Sequence, residues 1–165
     1  MKKVLFSLIA VVALAGVALW QFSGSARAAA PDVTFVSLTG QKITPQDLRG
    51  KVVLVKFWAT DCATCIQQMP DMIKTYDALA PKGFEAIAVA MQYDPPNYVK
   101  NYAETRRLPF PVAIDAQGQI AKAFGDIKLT PTAFLIDKQG HIIKRYLGNY
   151  DKTAFLNTVQ KALAS

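Results

Sequence analysis

Two cysteines, Cys62 and Cys65, lie three positions apart in the stretch WATDCATC, and the rest of the chain contains none. A C-x-x-C pair can form half of a zinc site, a structural disulfide or a reversible dithiol–disulfide couple. Structural zinc takes four ligands, and the sequence adds only His141, its single histidine. A structural disulfide that closes so short a loop gains little entropy. The spacing therefore favours the reversible couple, and zinc and a structural bridge remain as alternatives.

The position of the pair in the chain predicts a different role for each thiol. Cys62 follows the apolar run KVVLVKFWA, which has the length and valine content of a buried strand, and it stands where a helix begins. A thiol at a helix start faces free backbone N–H groups and the positive end of the helix dipole, which favours the nucleophilic thiolate. Cys65 lies one turn later and less exposed. We therefore predict Cys62 as the attacking thiol and Cys65 as the resolving one.

The elements around the motif predict one α/β domain with a mixed sheet. Alternation predicts a strand over 33–38, and the TPQDL stretch at 44–48 predicts a short helix. The helix after the cysteines carries Pro70 in its interior, and Asp94 is expected to cap a later helix. The remaining predictions are strands in FEAIAVAM and PFPVAID, a short helix in GQIAKAFG, a hairpin of TAFLID and HIIKRYLG, and an amphipathic C-terminal helix. This order places helices on both faces of the sheet.

The N-terminus predicts export. Lysines at positions 2 and 3 precede an uncharged run from Val4 to Phe22, and small residues follow in SGSARAAAPD. The run reaches the lower end of the length that spans a bilayer. We expect residues 1–28 to be an export signal or an N-terminal anchor in the inner membrane, with cleavage near Ala28–Ala30 as the other outcome. Either way residues 29–165 would form a periplasmic domain, where disulfides persist.

The charge of the chain gives no indication of nucleic-acid binding. Lys2, Lys3 and Arg27 account for three of the 19 basic residues, which leaves 16 basic against 12 acidic residues, a net charge of +4. No basic run or stripe of the kind that follows a phosphate backbone is visible.

Three stretches together resemble a known family: VVLVKFWATDCATC, the MP after it in the helix, and LTPTAFLIDKQGHI. They are similar to the TlpA/ResA type of thioredoxin-fold thiol–disulfide oxidoreductases, and the resemblance covers residues 33–164. It implies a thioredoxin-like three-layer α/β/α fold with a mixed central sheet and an inserted strand–helix segment from Met91 to Gly125.

The resemblance also implies an activity. A protein of this type reduces disulfides of exported client proteins, such as cytochrome c apoproteins or proteins that assemble copper oxidases. A transmembrane electron donor regenerates its dithiol. No dissociable cofactor and no metal are implied, and we expect a monomer.

The resemblance assigns further residues to the site. It implies a cis peptide bond between Thr130 and Pro131, beside the disulfide, and substrate contacts from these two residues and Trp58. The chain departs from the family pattern at Lys56, Asp61 and Gln68.

The three departures are candidates for tuning the pKa values of the thiols. For Lys56 the alternative is a side chain that extends to solvent. For Asp61 the alternative is a helix cap.

Two other functions stay open at this point. The protein could work in the opposite direction, as a disulfide oxidase or isomerase that donates its disulfide. It could instead be a non-enzymatic copper metallochaperone that binds the metal through Cys62, Cys65 and His141.

Overall fold

A mixed five-stranded sheet forms the centre of the structure, a computed structural model that describes residues 27–165. In chain order the strands are β1 (Phe35–Val36), β2 (Lys42–Ile43), β3 (Val52–Trp58), β4 (Phe84–Ala90), β5 (Val112–Ile114), β6 (Thr132–Ile136) and β7 (Ile142–Leu147). The helices are α1 (Ala63–Leu79), α2 (Pro96–Thr105), α3 (Gln119–Ala123) and α4 (Lys152–Ala164). The sheet order is β5-β4-β3-β6-β7, and β1 pairs with β2 apart from it.

β3 is the middle strand, and all seven of its residues are buried. It pairs in parallel with β4 and antiparallel with β6, while β5 extends the parallel side and β7 the antiparallel side. A strand with a neighbour on each edge and a layer on each face favours the continuous apolar, valine-rich sequence that VVLVKFW supplies. The residues that follow β3, including both cysteines, therefore lie at the end of the sheet where β3 ends.

The two faces of the sheet are covered differently. The face that we call the α1 face carries Val52, Leu54, Lys56 and Trp58, and residues of α1, α2 and α4 pack against it. The opposite face, called the α3 face, carries Val53, Val55 and Phe57 under α3, its following turn and the β1–β2 pair. This arrangement confirms the three-layer α/β fold with a mixed sheet.

The predicted inserted segment, Met91 to Gly125, contains α2, β5 and α3. It starts at the carboxyl end of β4 and adds β5 beside that strand, with Ala88 opposite Val112 and Ala90 opposite Ile114. The insertion therefore widens the sheet at its edge and places α2 next to the end of β3.

The structure corrects two predictions near the start of the domain. The predicted strand over 33–38 is reduced to Phe35–Val36, and TPQDL forms turns rather than a helix. In those turns the Asp47 carboxylate accepts hydrogen bonds from the backbone N–H and the hydroxyl of Thr44, at 2.8 and 2.6 Å. Such local bonds compete with helix formation.

The predicted cap at Asp94 is also wrong. Pro95 occupies the N-cap position of α2, and the Asp94 carboxylate accepts bonds from elsewhere. Because Pro95 and Pro96 have no backbone N–H, the start of this helix offers few donors that a capping carboxylate can use.

The predicted leader lies outside the described residues. Within residues 27–165, no helix is long and apolar enough to span a bilayer. The described chain begins with residues that pair with the β6–β7 hairpin: Ile142 N–H donates to Ala28 O at 2.8 Å, and Ala30 N–H donates to Gly140 O at 2.8 Å. Arg27 approaches Asp137 at 3.4 Å.

Candidate active site

Cys62 and Cys65 are joined by a disulfide at the carboxyl end of β3, where α1 begins. Cys62 is the N-cap of α1, and its sulfur accepts a hydrogen bond from the Cys65 N–H at 3.2 Å. Cys62 is partly exposed, whereas Cys65 is fully buried. The first sulfur therefore faces both solvent and the helix start, and a partner molecule can reach it without entering the core.

A buried carboxylate fixes the turn that leads into the motif. Asp94 is 3% exposed and accepts two bonds from Thr60, from its N–H at 2.7 Å and from its hydroxyl at 2.5 Å. These bonds tie the start of the inserted segment to the residue two positions before Cys62. The sequence analysis does not predict this role. The two prolines after Asp94 could have indicated it, because they have no backbone N–H to offer a capping carboxylate, so that Asp94 can bind a distant residue instead.

Asp61 lies in the same turn and is exposed. It is not the cap of α1, since Cys62 takes that position. The helix-cap alternative for Asp61 is therefore wrong, and its carboxylate is next to Cys62 in the chain.

The Thr130–Pro131 peptide bond is cis, as the resemblance implied. It precedes β6, whose first residue Thr132 pairs with Phe57 near the end of β3, so Pro131 lies at the same end of the sheet as the cysteines. The Thr130 hydroxyl is 3.5 Å from the hydroxyl of Tyr93.

Exposed apolar side chains occur in this loop region. Leu129 is 64% exposed and Tyr93 53% exposed, although both are large and partly apolar. Tyr98 on α2 is also exposed, and α2 begins next to the Asp94–Thr60 contact. Exposed side chains of this kind suit contact with another polypeptide. The sequence alone does not predict a role for any of the three.

Trp58 is fully buried on the α1 face. Its ring packs against Tyr102 of α2 with centroids 5.3 Å apart, and its Nε1 has no hydrogen-bond partner among the described residues. The Trp58 side chain is therefore not on the surface, and its contact with substrate stays a prediction.

Lys56 is fully buried, so the alternative of a side chain that extends to solvent is wrong. Its Nζ donates to Gln68 Oε1 at 2.8 Å, and burial lowers the pKa of Lys56 to about 8. Gln68 in turn donates from Nε2 to the carbonyl of Gly148 at 3.1 Å and to Oδ1 of Asn149 at 3.2 Å. The structure thus brings together two of the three pKa-tuning candidates and leaves Asp61 apart from them.

His141 lies at the other end of the sheet from the cysteines. It follows Asp137, at the carboxyl end of β6, and β6 runs antiparallel to β3. Its Nδ1 is 3.5 Å from Asp137 Oδ1. No group of three or more His, Cys, Asp or Glu side chains within residues 27–165 is arranged to hold a metal ion. The three-ligand copper set of Cys62, Cys65 and His141 is therefore not assembled.

Comparison with known proteins agrees with this geometry. The sequence profile of the Redoxin family matches residues 25–163. The chain is 42% identical over 123 residues to the thiol-disulfide oxidoreductase ResA of Bacillus thuringiensis subsp. konkukian, a match that covers 74% of this chain and 70% of the relative.

Two solved structures extend the comparison to the fold. A thiol:disulfide interchange protein of the thioredoxin family from Chlorobium tepidum is 30% identical with a TM-score of 0.77, over 85% of this chain and 99% of the other. The thioredoxin domain of a thiol-disulfide oxidoreductase from Bacteroides vulgatus is 27% identical with a TM-score of 0.70, over 84% and 98%.

Proposed function

The chain belongs to the Redoxin family and is a thiol-disulfide oxidoreductase with a thioredoxin-like fold; from this premise we propose that it reduces disulfides of exported client proteins through Cys62. The observation that carries the proposal is the asymmetry of the pair: Cys62 is partly exposed at the helix start, and Cys65 is fully buried one turn behind it.

The reaction proceeds in two exchanges. The Cys62 thiolate attacks one sulfur of a client disulfide, so that a Cys62–client bond forms and the client's second sulfur leaves as a thiolate. Cys65 then attacks Cys62, the internal disulfide forms, and the client sulfur leaves with the electron pair. The client gains two electrons and the cysteines lose two. The redox equivalent resides in the cysteine pair, so no dissociable cofactor or metal takes part.

The region around the cis peptide bond supports binding of an extended client segment. Leu129 is exposed, and Thr130 lies at the same end of the sheet as Cys62. We assign client contact to Thr130, Pro131 and their exposed neighbours, with Trp58 beneath them as support.

The reducing direction is supported by the setting of Cys62. The helix start favours the Cys62 thiolate, and we expect the negative charge of the preceding residue, Asp61, to offset part of that effect; a less stabilised thiolate makes the dithiol a better reductant. We expect a reduction potential nearer to that of thioredoxin, about −270 mV, than to that of the strong oxidant DsbA, about −120 mV. A potential above about −150 mV would favour the oxidase or isomerase alternative instead.

For localisation we propose export, with residues 4–22 as an inner-membrane anchor. Residues 27–30 join the domain beside the β6–β7 hairpin, at the end of the sheet opposite Cys62. A leader that precedes them would leave the cysteine end of the domain free for clients and for a transmembrane electron donor. Cleavage near Ala28–Ala30 would release the domain to the periplasm with the same site. Assembly clients of cytochrome c or copper oxidases are the partners to seek, and the protein would act as a monomer.

Trapping of mixed disulfides tests the proposal. Cys65→Ser, expressed with the leader, should accumulate covalent adducts with exported proteins that vanish on reduction, because the resolving thiol is missing. Cys62→Ser is the matched control and should trap far fewer. Trapping by Cys62→Ser alone would reverse the assigned roles. Trapping by neither variant would remove the proposed client reduction.

A further inference from the structure

An open groove lies beside the redox motif and runs along α2. It has a volume of about 490 Å³ and is lined by the turn before Cys62, including Asp61, and by one side of α2 with the residue that follows the helix. Tyr98, Tyr102 and Arg106 belong to that side and follow one another at intervals of four residues, which aligns them along the helix. The groove therefore leads away from the attacking thiol along one stripe of α2.

The groove and the cis peptide bond are on different sides of the motif. α2 follows β4, whereas Pro131 precedes β6, and these two strands pair with opposite edges of β3. Cys62 follows the end of β3 and so lies between them. An extended client segment that contacts Pro131 can therefore continue past Cys62 into the groove.

The walls of the groove are held in place by contacts within the fold. Thr60 donates two bonds to the buried Asp94, just before α2, at 2.7 and 2.5 Å. On the helix side, the ring of Tyr102 packs against the buried Trp58 with centroids 5.3 Å apart. The guanidinium carbon of Arg106 lies 5.8 Å from the centroid of the Tyr102 ring. A surface that is ordered in advance loses less conformational entropy when it binds a partner.

Each end of the groove carries a charge that is open to a partner. Asp61 lies at the end next to the cysteines and Arg106 at the far end, and neither forms an ion pair within residues 27–165. By contrast, Lys100 and Glu104 on another side of α2 pair with each other at 3.9 Å. Arg107 adds a positive charge next to Arg106 in the chain but does not line the groove.

The length of α2 sets the spacing of the charges that a client needs. The helix has ten residues, Pro96–Thr105, and so is about 15 Å long. Asp61 lies near its first turn, because the preceding residue binds Asp94, and Arg106 follows its last residue. The two charges are therefore about 10–15 Å apart, a distance that an extended chain covers in about three to five residues.

We propose that this groove binds the client segment next to the attacked cysteine, and that Asp61 and Arg106 select clients with a basic residue beside that cysteine and an acidic residue about three to five positions farther along. This inference deepens the proposed function and rests on it. Tyr98 is 59% exposed between the two charges, and its ring can pack against an apolar side chain of the intervening client residues.

A basic client residue at Asp61 also acts on the exchange itself. Its positive charge offsets the negative charge of Asp61, which we expect to work against the Cys62 thiolate. The thiolate attacks the client sulfur beside that residue, the Cys62–client bond forms, and the client's second sulfur leaves with the electron pair. A client with matching charges therefore meets a better stabilised thiolate than the free protein has.

Short activated peptides test this preference. Each peptide has a single cysteine that carries thionitrobenzoate as a mixed disulfide, and attack of Cys62 on the peptide sulfur releases the coloured thionitrobenzoate. The matched peptide has lysine beside the cysteine and glutamate about four positions farther along. The swapped peptide exchanges these two residues, and the neutral peptide has glutamine at both positions. Each is made with the charges on either side of the cysteine and is mixed with the reduced full-length chain in mild detergent.

At low salt the matched peptide should react about tenfold faster than the swapped one, with the neutral peptide between them, because two attractions replace two repulsions. The ratio should fall below about twofold in about 1 M salt, where the Debye length is about 3 Å. A ratio of two peptides on one protein cancels any change in the intrinsic reactivity of Cys62, which substitution of Asp61 also affects.

Exchange of the two charges is the decisive variant. Asp61→Lys combined with Arg106→Glu should reverse the preference, so that the swapped peptide reacts faster. Arg106→Gln alone should lower the ratio about threefold, because one of the two contacts is lost. Lys100→Gln, on another side of α2, is the matched control and should leave the ratio unchanged.

Each other result has a definite meaning. If the wild type reacts equally with all three peptides at low salt, or prefers the swapped one, the inference is overturned and the proposed function stands. If the wild type prefers the matched peptide but the variant with exchanged charges keeps that preference, other charges select the client and the inference fails. If the wild type releases thionitrobenzoate from none of the peptides, Cys62 does not attack, and the proposed function falls with the inference.

Discussion

On the α3 face of β3, Val53, Val55 and Phe57 pack into a cluster of apolar side chains, whereas on the α1 face Lys56 stands between Leu54 and Trp58. The two faces alternate along one strand of seven residues, and every residue is buried. The α3 face is built as a hydrophobic core in the ordinary sense. The α1 face includes the buried amine of Lys56 and the indole N–H of Trp58, which has no hydrogen-bond partner within residues 27–165; Trp58 and Cys65 belong to the same buried cluster. The α3 face of β3 therefore contributes mainly to stability, whereas the α1 face lies against the helix that carries the cysteines.

The largest effect on stability is expected on the α3 face. Phe57 is fully buried and packs against Phe124 and Phe134, with ring centroids 5.4 and 6.2 Å away. Phe57→Ala should lower the free energy of unfolding by about 3–5 kcal/mol because it leaves a cavity. Denaturant unfolding measures this loss. The reduction potential should stay that of the wild type, since the ring points away from the cysteines, and a clear shift in potential would mean that the two faces are not separable.

Lys56→Met, on the α1 face, is expected to raise the free energy of unfolding instead of lowering it. A pKa of about 8 in the folded state against 10.5 in the unfolded state means that the folded state resists the charged form, at a cost of about 3 kcal/mol at pH 7. The full cost applies below pH 8, where both states are protonated, and it falls to zero as pH rises to 10.5. Met should therefore stabilise the fold by about 2 kcal/mol at pH 7, after loss of the bond to Gln68.

Urea unfolding at pH 7 and at pH 10 checks this sign, because the advantage of Met should shrink at the higher pH. Leu54→Met serves as control and should show no pH-dependent difference. If Lys56→Met were less stable than the wild type at pH 7, the lysine would stabilise the folded state, and the predicted cost of burying its charge would be wrong.

The smallest effect on stability is expected at two buried carboxylates, one before α2 and one before α3. Asp94 accepts two bonds from Thr60 next to the motif, and Asp115 accepts bonds from the N–H groups of Ile120 and Ala121 in α3, at 3.1 and 2.8 Å. Asp94→Asn and Asp115→Asn should each lower the unfolding free energy by about 1–2 kcal/mol.

The two variants should differ in reactivity. Only Asp94→Asn should change the rate at which iodoacetamide alkylates Cys62, by about two- to fivefold, because only Asp94 fixes the turn before it. Equal alkylation rates in both variants would show that the Asp94–Thr60 contact does not position the thiol.

The sequence by itself determined the local features of this protein. The apolar run before the cysteines predicted β3, helical spacing predicted α1 around Pro70, and the position of Cys62 between them predicted its place at the helix start. These features follow from contacts within a few residues, or from the requirement that an unbroken apolar strand be buried on both faces. The same reasoning failed for the segment TPQDL before β3. The sequence predicts a short helix there, but the bond from the Thr44 N–H to the Asp47 carboxylate stabilises turns instead.

Only the tertiary structure decided which residues surround the cysteines. Lys56 meets Gln68 twelve positions later, Asp94 meets Thr60 across 34 positions, and His141 is carried to the far end of the sheet. Whether a lysine in a strand reaches solvent or remains buried depends on what covers that face, and here α1 and α4 cover it. Periodicity along the chain does not contain this information, because the contacts arise from strand order and helix packing between segments that are distant in sequence.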